Sequence, residues 1–165
     1  MQDSDARAEQ FNELRARLDG HWVLATPADT ARRTVDAAIE RAVNAMNMLL
    51  RGMARPMIRD NTPINQYIEL RFRSVDEIFC RFDTGARYTT PLGATRNGRS
   101  LDGETLRVTQ RYREGALEQV FQADQGTRWN MYVVEADGTL RLDATTQGDM
   151  MPEPLRFSLT YRRRE

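Results

Sequence analysis

The sequence is short of the residues that build disulfide-linked or metal-bound structure, with one Cys and one His among 165 residues. A single cysteine, Cys80, excludes an internal disulfide bond. Because zinc sites draw their ligands from several Cys and His residues, Cys80 and His21 together do not predict such a site. We therefore expect no bound metal and no cofactor.

Lysine is absent, and neither sign of charge is in excess. The 24 basic residues are all Arg, and 24 acidic residues balance them, so no global field draws the protein to nucleic acid or an acidic membrane. In Arg111-Tyr112-Arg113 and Arg128-Trp129 the basic and aromatic side chains fall on opposite faces of a strand, which excludes a shared stacking platform. We predict no nucleic-acid partner.

Long hydrophobic runs are absent as well. No stretch approaches the roughly 20 apolar residues that a membrane-spanning helix requires, so we predict no membrane span. Hydrophobic residues make up 40% and charged residues 29% of the chain, which is typical of a globular protein. A chain of 165 residues can bury a real core, and we predict a single domain over 1–165. The sequence leaves the cellular compartment open.

What the sequence does have is a regular alternation of apolar and polar residues over 64–164. A period of two is typical of β-strands with one solvent-facing side. Turn signals such as Asp137-Gly138 join the segments without intervening helices, so we predict an antiparallel meander. Its predicted inward residues include Leu106, Val108, Gln110 and Tyr112, then Leu117, Gln119, Phe121 and Ala123, then Thr127, Trp129, Met131 and Val133, and finally Leu155, Phe157, Leu159 and Tyr161.

Helical segments are predicted before the meander. An N-terminal helix is predicted over 4–19, where Ser4 can cap its start and Gly20 can end it. A longer helix is predicted over 27–55, because its apolar residues recur with a period near 3.6, and Pro56 is expected to end or kink it. Its apolar stripe consists of Val35, Ile39, Ala42, Met46, Leu49 and Met53.

This stripe is too extensive to leave in water. We therefore expect the long helix to fill the groove of an incompletely closed sheet or to enter its lumen. Met46 and Leu49 would then contact inward residues of the meander such as Phe121 or Trp129.

Together these elements predict a mainly β, α+β fold. We expect an antiparallel up-and-down β-barrel, or a strongly curved sheet, of about eight strands. An N-terminal helix precedes it, and one long helix follows its first strand. Closure of the barrel would remove the exposed sheet edges. Residues 84–103 are rich in turn-forming residues, and we expect a mobile rim there with at most one short strand, at Ala86–Thr90.

Two short motifs resemble those of the calycin superfamily, which comprises lipocalins and fatty-acid-binding proteins. Gly20-His21-Trp22 is similar to the Gly-x-Trp that opens the first calycin strand. The closing segment, from Leu159 to Arg163, is similar to the last strand. The resemblance implies that an Arg there packs over Trp22 as a structural pair, with Arg163 as the first choice and Arg162 as the second. It also implies a β-barrel with a helical lid that holds a small hydrophobic ligand.

The chain departs from the fatty-acid-binding pattern in two respects. The Arg-x-Tyr pair that holds a carboxylate in that family is missing from the last strands, and the predicted helix is more continuous than a two-helix lid. The alternative fold is the cone-shaped α+β fold of the nuclear-transport-factor-2 type, which also sets helices before a curved antiparallel sheet.

The candidate ligand-binding residues lie on the predicted inward faces and on the long helix. Aromatic and Met side chains can either fill a small barrel or line a pocket. Gln110 and Gln119 interrupt apolar faces on neighbouring strands, so each needs a partner, which is the other amide, a water or a ligand. The full predicted set is Met46, Met53, Phe72, Gln110, Tyr112, Gln119, Phe121 and Trp129.

No catalytic constellation is visible. Cys80 alternates with Ile78 and Phe82, which predicts a buried, inert thiol, and His21 has no nucleophile near it in sequence. The acidic residues Glu69, Glu77, Glu118 and Asp143 are all predicted on outward faces, where they cannot form a general acid–base pair in a cleft.

Three hypotheses for function remain open. The first is non-enzymatic binding of a small hydrophobic or amphipathic ligand inside the barrel. The second is a structural or interaction protein with a filled barrel, and the third is a small-molecule enzyme on the cone-like fold. The sequence is compatible with a monomer or a homodimer.

Overall fold

The structure, a computed structural model, describes residues 2–164. Three helices and one strand come first: α1 (Gln2–Leu18), β1 (Gly20–Leu24), α2 (Ala28–Asn44) and α3 (Met48–Asp60). The remaining strands are β2 (Tyr67–Ser74), β3 (Glu77–Phe82), β4 (Arg87–Thr90), β5 (Thr95–Arg99), β6 (Thr105–Arg113), β7 (Ala116–Ala123), β8 (Gly126–Val134), β9 (Leu140–Gly148) and β10 (Leu155–Arg163).

All strands belong to one antiparallel sheet in the order β4-β3-β2-β1-β10-β9-β8-β7-β6-β5. Its two end strands approach each other. Leu92, just after β4, bridges to Gln110 of β6, and the Tyr88 ring of β4 lies on Gly98 of β5, where a Cβ would come within 3.1 Å of the ring. The sheet therefore curls into a nearly closed barrel, which confirms the predicted architecture.

The number of strands is ten rather than about eight. The difference arises in residues 84–103, where β4 and β5 form. Their side chains give little apolar alternation, and Gly and Pro surround them, so the local pattern resembles a loop. Pairing with β3 and β6 makes them strands.

One end of the barrel, which we call the base, is closed by α1. Phe11, Leu14 and Leu18 are buried there, and the Phe11 ring meets the Phe72 ring of β2 with centroids 6.0 Å apart. The bounds of α1 lie close to the predicted 4–19. α1 therefore covers the base of the lumen with apolar side chains.

Trp22 and Arg163 join β1, β10 and α1 at the base. The Arg163 guanidinium lies 4.3 Å from the centroid of the Trp22 ring, as the calycin resemblance implies. Trp22 Nε1 donates to the Leu18 carbonyl at 2.9 Å, and Arg163 donates to the carbonyls of Asp19 and Arg17 at 2.6 and 2.7 Å. These bonds satisfy carbonyls at the C-terminal end of α1.

The predicted long helix over 27–55 is wrong, because two helices replace it. α2 ends at Asn44, and the Asn47 side chain caps α3 by accepting from the Leu49 amide at 3.0 Å. Pro56 lies inside α3 and does not end it. The apolar spacing continues across the break, so periodicity alone could not locate the cap.

The two helices are buried to very different extents. α2 packs on β10 and buries side chains such as Val35, Ile39 and Val43, whereas α3 packs on α2 and buries Ala54 alone. Leu49 is 90% exposed, so its predicted contact with Phe121 or Trp129 is wrong. None of the helices within residues 2–164 has the length and apolar character needed to cross a membrane.

The predicted faces of β8 are inverted. Asn130 pairs with Gln119 of β7, whose side chain points inward, so Asn130 points inward as well, and Trp129 lies on the outer face. The tight turn that pairs Ala123 with Gly126 sets this register. A shift of one residue moves every side chain of a strand to the other face, so the prediction that Trp129 points into the lumen is wrong.

Candidate functional site

Four polar side chains meet inside the barrel, and we call them the polar layer: Gln110 of β6, Gln119 of β7, and Asn130 and Tyr132 of β8. Gln119 Nε2 donates to Gln110 Oε1 at 3.0 Å, so of the partners that the sequence left open each amide has the other. Gln119 Oε1 accepts from the Tyr132 hydroxyl at 2.9 Å and from Asn130 Nδ2 at 3.2 Å. These bonds stabilise buried polar groups among apolar neighbours.

The polar layer extends to the opposite side of the barrel. Gln110 Nε2 donates to the Ile78 carbonyl of β3 at 3.0 Å and to Thr90 Oγ1 of β4 at 3.2 Å. Burial raises the pKa of the Cys80 thiol on β3 to about 12, and a hydrogen bond with Gln119 partly opposes that shift. The glutamine amides are therefore satisfied by protein groups and need no ligand as a partner.

Arg128 lies next to the polar layer on the inward face of β8, paired in register with Phe121 of β7. Its Nε donates to Asn130 Oδ1 at 2.9 Å, and its guanidinium lies 5.4 Å from the centroid of the Phe157 ring. Within residues 2–164 Arg128 forms no ion pair, whereas Arg111 on the outer wall pairs with Glu118.

The charge of Arg128 is disfavoured by its surroundings. Burial lowers the pKa of its guanidinium, although Tyr132 and Tyr161 oppose that shift. The pKa of an arginine is so high that the group nevertheless stays a cation at neutral pH. The barrel therefore holds a cation that forms no ion pair with a carboxylate among the described residues.

A cavity of about 350 Å³ lies above the polar layer and opens at the end of the barrel opposite α1, which we call the mouth. Its apolar wall includes Phe82, Tyr88, Leu106 and Phe121, and the Tyr88 and Phe121 rings meet edge to face at 5.0 Å. Arg128 and Asn130 supply polar groups to the same cavity. The cavity thus combines aromatic surface with one cationic group.

The rim of the mouth is built from three segments that follow secondary-structure elements. The C-terminal end of α3 contributes Asp60 and Asn61, and the β5–β6 turn contributes Ser100, Leu101 and Asp102. The third segment is the β3–β4 turn. Hydrogen bonds from Ser100 and the Glu104 amide lower the pKa of Asp102, which is exposed. Neither rim aspartate pairs with Arg128.

The structure separates the predicted ligand-binding residues into groups. Phe121 lines the cavity, and Gln110 and Gln119 lie beneath it in the polar layer. Phe72 and Tyr112 lie at the base, where Tyr112 donates to Glu13 Oε2 of α1 at 2.7 Å. Both residues pack against α1, at the opposite end of the barrel from the cavity.

The remaining members of that set do not line the cavity. Met46 is buried at the break between α2 and α3, Met53 is 66% exposed on α3, and Trp129 lies on the outer face of β8. The break between the helices turns the predicted stripe away from the sheet, which explains why Met53 is exposed.

Sequence reasoning missed Arg128, Asn130 and Tyr88 as cavity residues. The sequence does contain a signal for this site, because Gln110, Gln119 and Asn130 carry amide groups on three successive strands. Gln119 and Asn130 face each other if the turn at 124–125 is a two-residue hairpin. Such a hairpin also turns Arg128 inward.

Neither residue weighed for catalysis lies in the cavity. Cys80 is fully buried, as predicted, and burial raises its pKa, which disfavours the reactive thiolate. His21 lies outside the barrel beside Tyr67, Glu69 and Arg71. In the described part of the chain, no three His, Cys, Asp or Glu side chains are grouped so that they could hold a metal ion.

Comparison with known proteins finds similarity in structure only. No protein-family profile matches the chain, and no curated protein sequence matches it. Solved structures of fatty-acid-binding proteins match along most of its length. That of Echinococcus granulosus fatty-acid-binding protein 1 has a TM-score of 0.55 at 13% identity, over 91% of this chain and 99% of that protein.

Two further solved structures are similar. Schistosoma mansoni fatty-acid-binding protein in complex with arachidonic acid has a TM-score of 0.56 at 12% identity, over 91% of this chain and 98% of that protein. A heat-soluble SAHS protein from Ramazzottius varieornatus has a TM-score of 0.58 at 9% identity, over 90% of this chain and 96% of that protein. The chain therefore has the calycin-type fold of the fatty-acid-binding proteins, and the cone-shaped alternative is wrong.

Proposed function

We propose that this protein is a non-enzymatic carrier or sensor that binds a small amphipathic ligand with an anionic group in the cavity at the mouth. The observation that carries the proposal is Arg128, a cation without an ion pair beside an aromatic wall. The fold supports the proposal, because solved proteins of this shape are named for the fatty acids they bind.

The electrostatics of Arg128 favour an anionic ligand. A buried charge without a partner destabilises the folded protein, and an anion that pairs with it offsets that cost. A guanidinium can hold a carboxylate through two parallel hydrogen bonds, and such charge-assisted bonds are among the strongest in proteins. Since Nε already donates to Asn130, the terminal nitrogens are the ones available to a ligand.

The apolar wall supplies the second part of the recognition. Phe82, Tyr88, Leu106 and Phe121 remove apolar ligand surface from water. A concave site with mostly apolar walls and a few oriented polar groups is the usual form of a small-molecule site. The residues that line this cavity include no His, Cys or Lys, and their two carboxylates, Asp60 and Asp102, lie at the rim. This composition supports a binding protein rather than an enzyme.

A second candidate function is supported by the exposed apolar residues of α3. Met48, Leu49 and Met53 are between 66% and 90% exposed. Large exposed apolar side chains on one helix are a feature of interaction surfaces. An interaction protein would use this helix and leave the cavity empty.

The test measures ligand binding directly. Fluorescence titration with anilinonaphthalene sulfonate is carried out on the wild type, on Arg128→Met, and on Arg107→Met as the matched control. Arg107 is an exposed arginine on the outer face of β6. We expect Arg128→Met to weaken binding about ten- to a hundredfold, as for a lost charge-assisted hydrogen bond of about 1.5–3 kcal/mol.

The control should bind like the wild type. Equal binding by all three proteins, or no saturable binding by the wild type, would contradict the proposal. Native mass spectrometry before and after organic extraction gives an independent measurement, because a carrier is expected to lose the mass of a co-purified ligand.

A further inference from the structure

We infer that the polar layer is the floor of the binding cavity and that the ligand is a compact aromatic carboxylate rather than a long unbranched chain. This inference rests on the proposed function, because it specifies which anion the same cavity takes. It depends on how the lumen below Arg128 is filled.

The floor is held together by hydrogen bonds that a ligand would have to break in order to pass. Gln119 bonds to Gln110, Asn130 and Tyr132, and Gln110 continues to the Ile78 carbonyl on the far side. A chain that entered the layer would leave buried amides without partners, which is unfavourable. The layer therefore opposes deep insertion.

The side chains beneath the floor are closely packed. On the base side of the polar layer, Leu14, Trp22, Leu70 and Leu117 are all 0% exposed. Such side chains cannot be touched by a water-sized sphere, either from outside or from an internal void. A long acyl chain would therefore find no room towards the base unless this packing came apart.

The space above the floor is small. Its volume of about 350 Å³ lies at the lower end of the roughly 300–1,000 Å³ that ligand sites span. A ligand anchored on Arg128 must fit its apolar part between the floor and the rim. This geometry favours a short, rigid group over a long, flexible one.

The wall favours a flat ring. The Tyr88 and Phe121 rings meet edge to face at 5.0 Å, and Phe82 lines the same cavity. Aromatic groups gain from offset or edge-to-face contact with such rings beyond the burial of their area. A planar ring with a carboxylate can contact the wall and reach the Arg128 guanidinium together.

The first experiment compares three probes on the wild-type protein by calorimetric titration: naphthoate, the neutral naphthyl alcohol, and palmitate below its micelle concentration. We expect naphthoate to bind at least tenfold more tightly than either of the other two. Palmitate binding as tightly as naphthoate would overturn the inference and leave the proposed function standing. Binding of none of the three would overturn both.

The second experiment locates the bound naphthoate without any substitution. Methyl resonances of Leu106, in the wall, and Leu117, beneath the floor, are followed by NMR during titration. We expect the Leu106 methyl shifts to change and those of Leu117 to stay in place. Large changes at Leu117 would show that the ligand passes the floor and would overturn the inference.

A variant pair tests the floor itself. Gln119→Ala removes the central amide of the layer, and Gln122→Ala, an exposed glutamine on the outer face of the same strand, is the matched control. In folded Gln119→Ala we expect palmitate affinity to rise at least tenfold, with no change in the control. An unchanged palmitate affinity in a folded Gln119→Ala protein would count against the floor.

Discussion

The base and the mouth of this barrel each place an arginine beside an aromatic ring, but the two arginines differ in their other partners. At the base, Arg163 stacks on Trp22 and donates to two carbonyls of the α1 end, so its charge is held by three protein groups. At the mouth, Arg128 has one amide acceptor, the Phe157 ring at 5.4 Å and no ion pair. Arg163 therefore has a structural role, whereas the proposed function assigns Arg128 to a ligand.

The helices at the two ends differ in the same way. α1 buries Phe11, Leu14 and Leu18 against the barrel, whereas α3 buries only Ala54 and leaves Leu49 exposed. Regions with few buried apolar contacts open at low free-energy cost. The comparison predicts large stability losses for substitutions at the base and small effects, or gains, at the mouth.

The largest expected effect comes from Trp22→Ala at the base. Trp22 is fully buried and touches Arg163 and the end of α1. We expect the free energy of unfolding to fall by about 3–5 kcal/mol, as for other buried aromatic residues. Urea denaturation measures it, with the exposed Leu101→Ala as a mouth control. A loss under about 1 kcal/mol would place Trp22 outside the structural core.

A smaller loss is expected for Glu118→Gln on the outer wall. Burial alone raises the pKa of this carboxyl, but hydrogen bonds from Arg113 and Arg111 outweigh it and the net shift is downward. The ionised form therefore stabilises the fold at neutral pH. We expect a loss of about 2 kcal/mol at pH 7, as for hydrogen bonds to a charged group.

The pH dependence of the Glu118 effect has a definite sign. Because the pKa is lower in the folded state, the stabilisation is present above the unfolded pKa of about 4.3 and is lost as pH falls through the folded value. Denaturation of wild type and Glu118→Gln at pH 7 and in acid should therefore give a difference that shrinks in acid. A difference independent of pH would mean that ionisation of Glu118 contributes nothing.

Arg128→Met is expected to raise stability while it weakens ligand binding. Burial lowers the pKa of this guanidinium, so its charge is unfavourable in the ligand-free protein. Replacing this partly buried charge, which has no ion pair, by an apolar side chain of similar length should raise the free energy of unfolding by about 1 kcal/mol. Denaturation of ligand-free protein checks this, and a clear loss would show that Arg128 is structural, like Arg163.

The smallest effect is expected for Leu49→Ser on α3. Leu49 is 90% exposed, and its backbone amide, which the substitution keeps, donates to the Asn47 cap. We expect a change within about 0.5 kcal/mol, as for other surface substitutions. Thermal or urea denaturation measures it. A loss of several kcal/mol would show that α3 packs its apolar face against the protein after all.

The two ends of the barrel also differ in how well the sequence predicts them. The base could be predicted from local motifs, because Gly20-His21-Trp22 and the final strand each carry their own signal. The mouth could not, because it depends on β8 and on the break after Asn44. Trp129, Met131 and Val133 form an apolar face on β8, yet that face lies outside.

The sequence by itself determined what is local: the alternation that makes strands, the turns between them, and the apolar faces of β6, β7 and β10. Only the tertiary structure decided the register of β8, the cap at Asn47 and the placement of Arg128 beside the polar layer. Alternation fixes a strand's two faces but not which one points inward. That choice depends on pairing with a neighbouring strand, a contact that no local pattern contains.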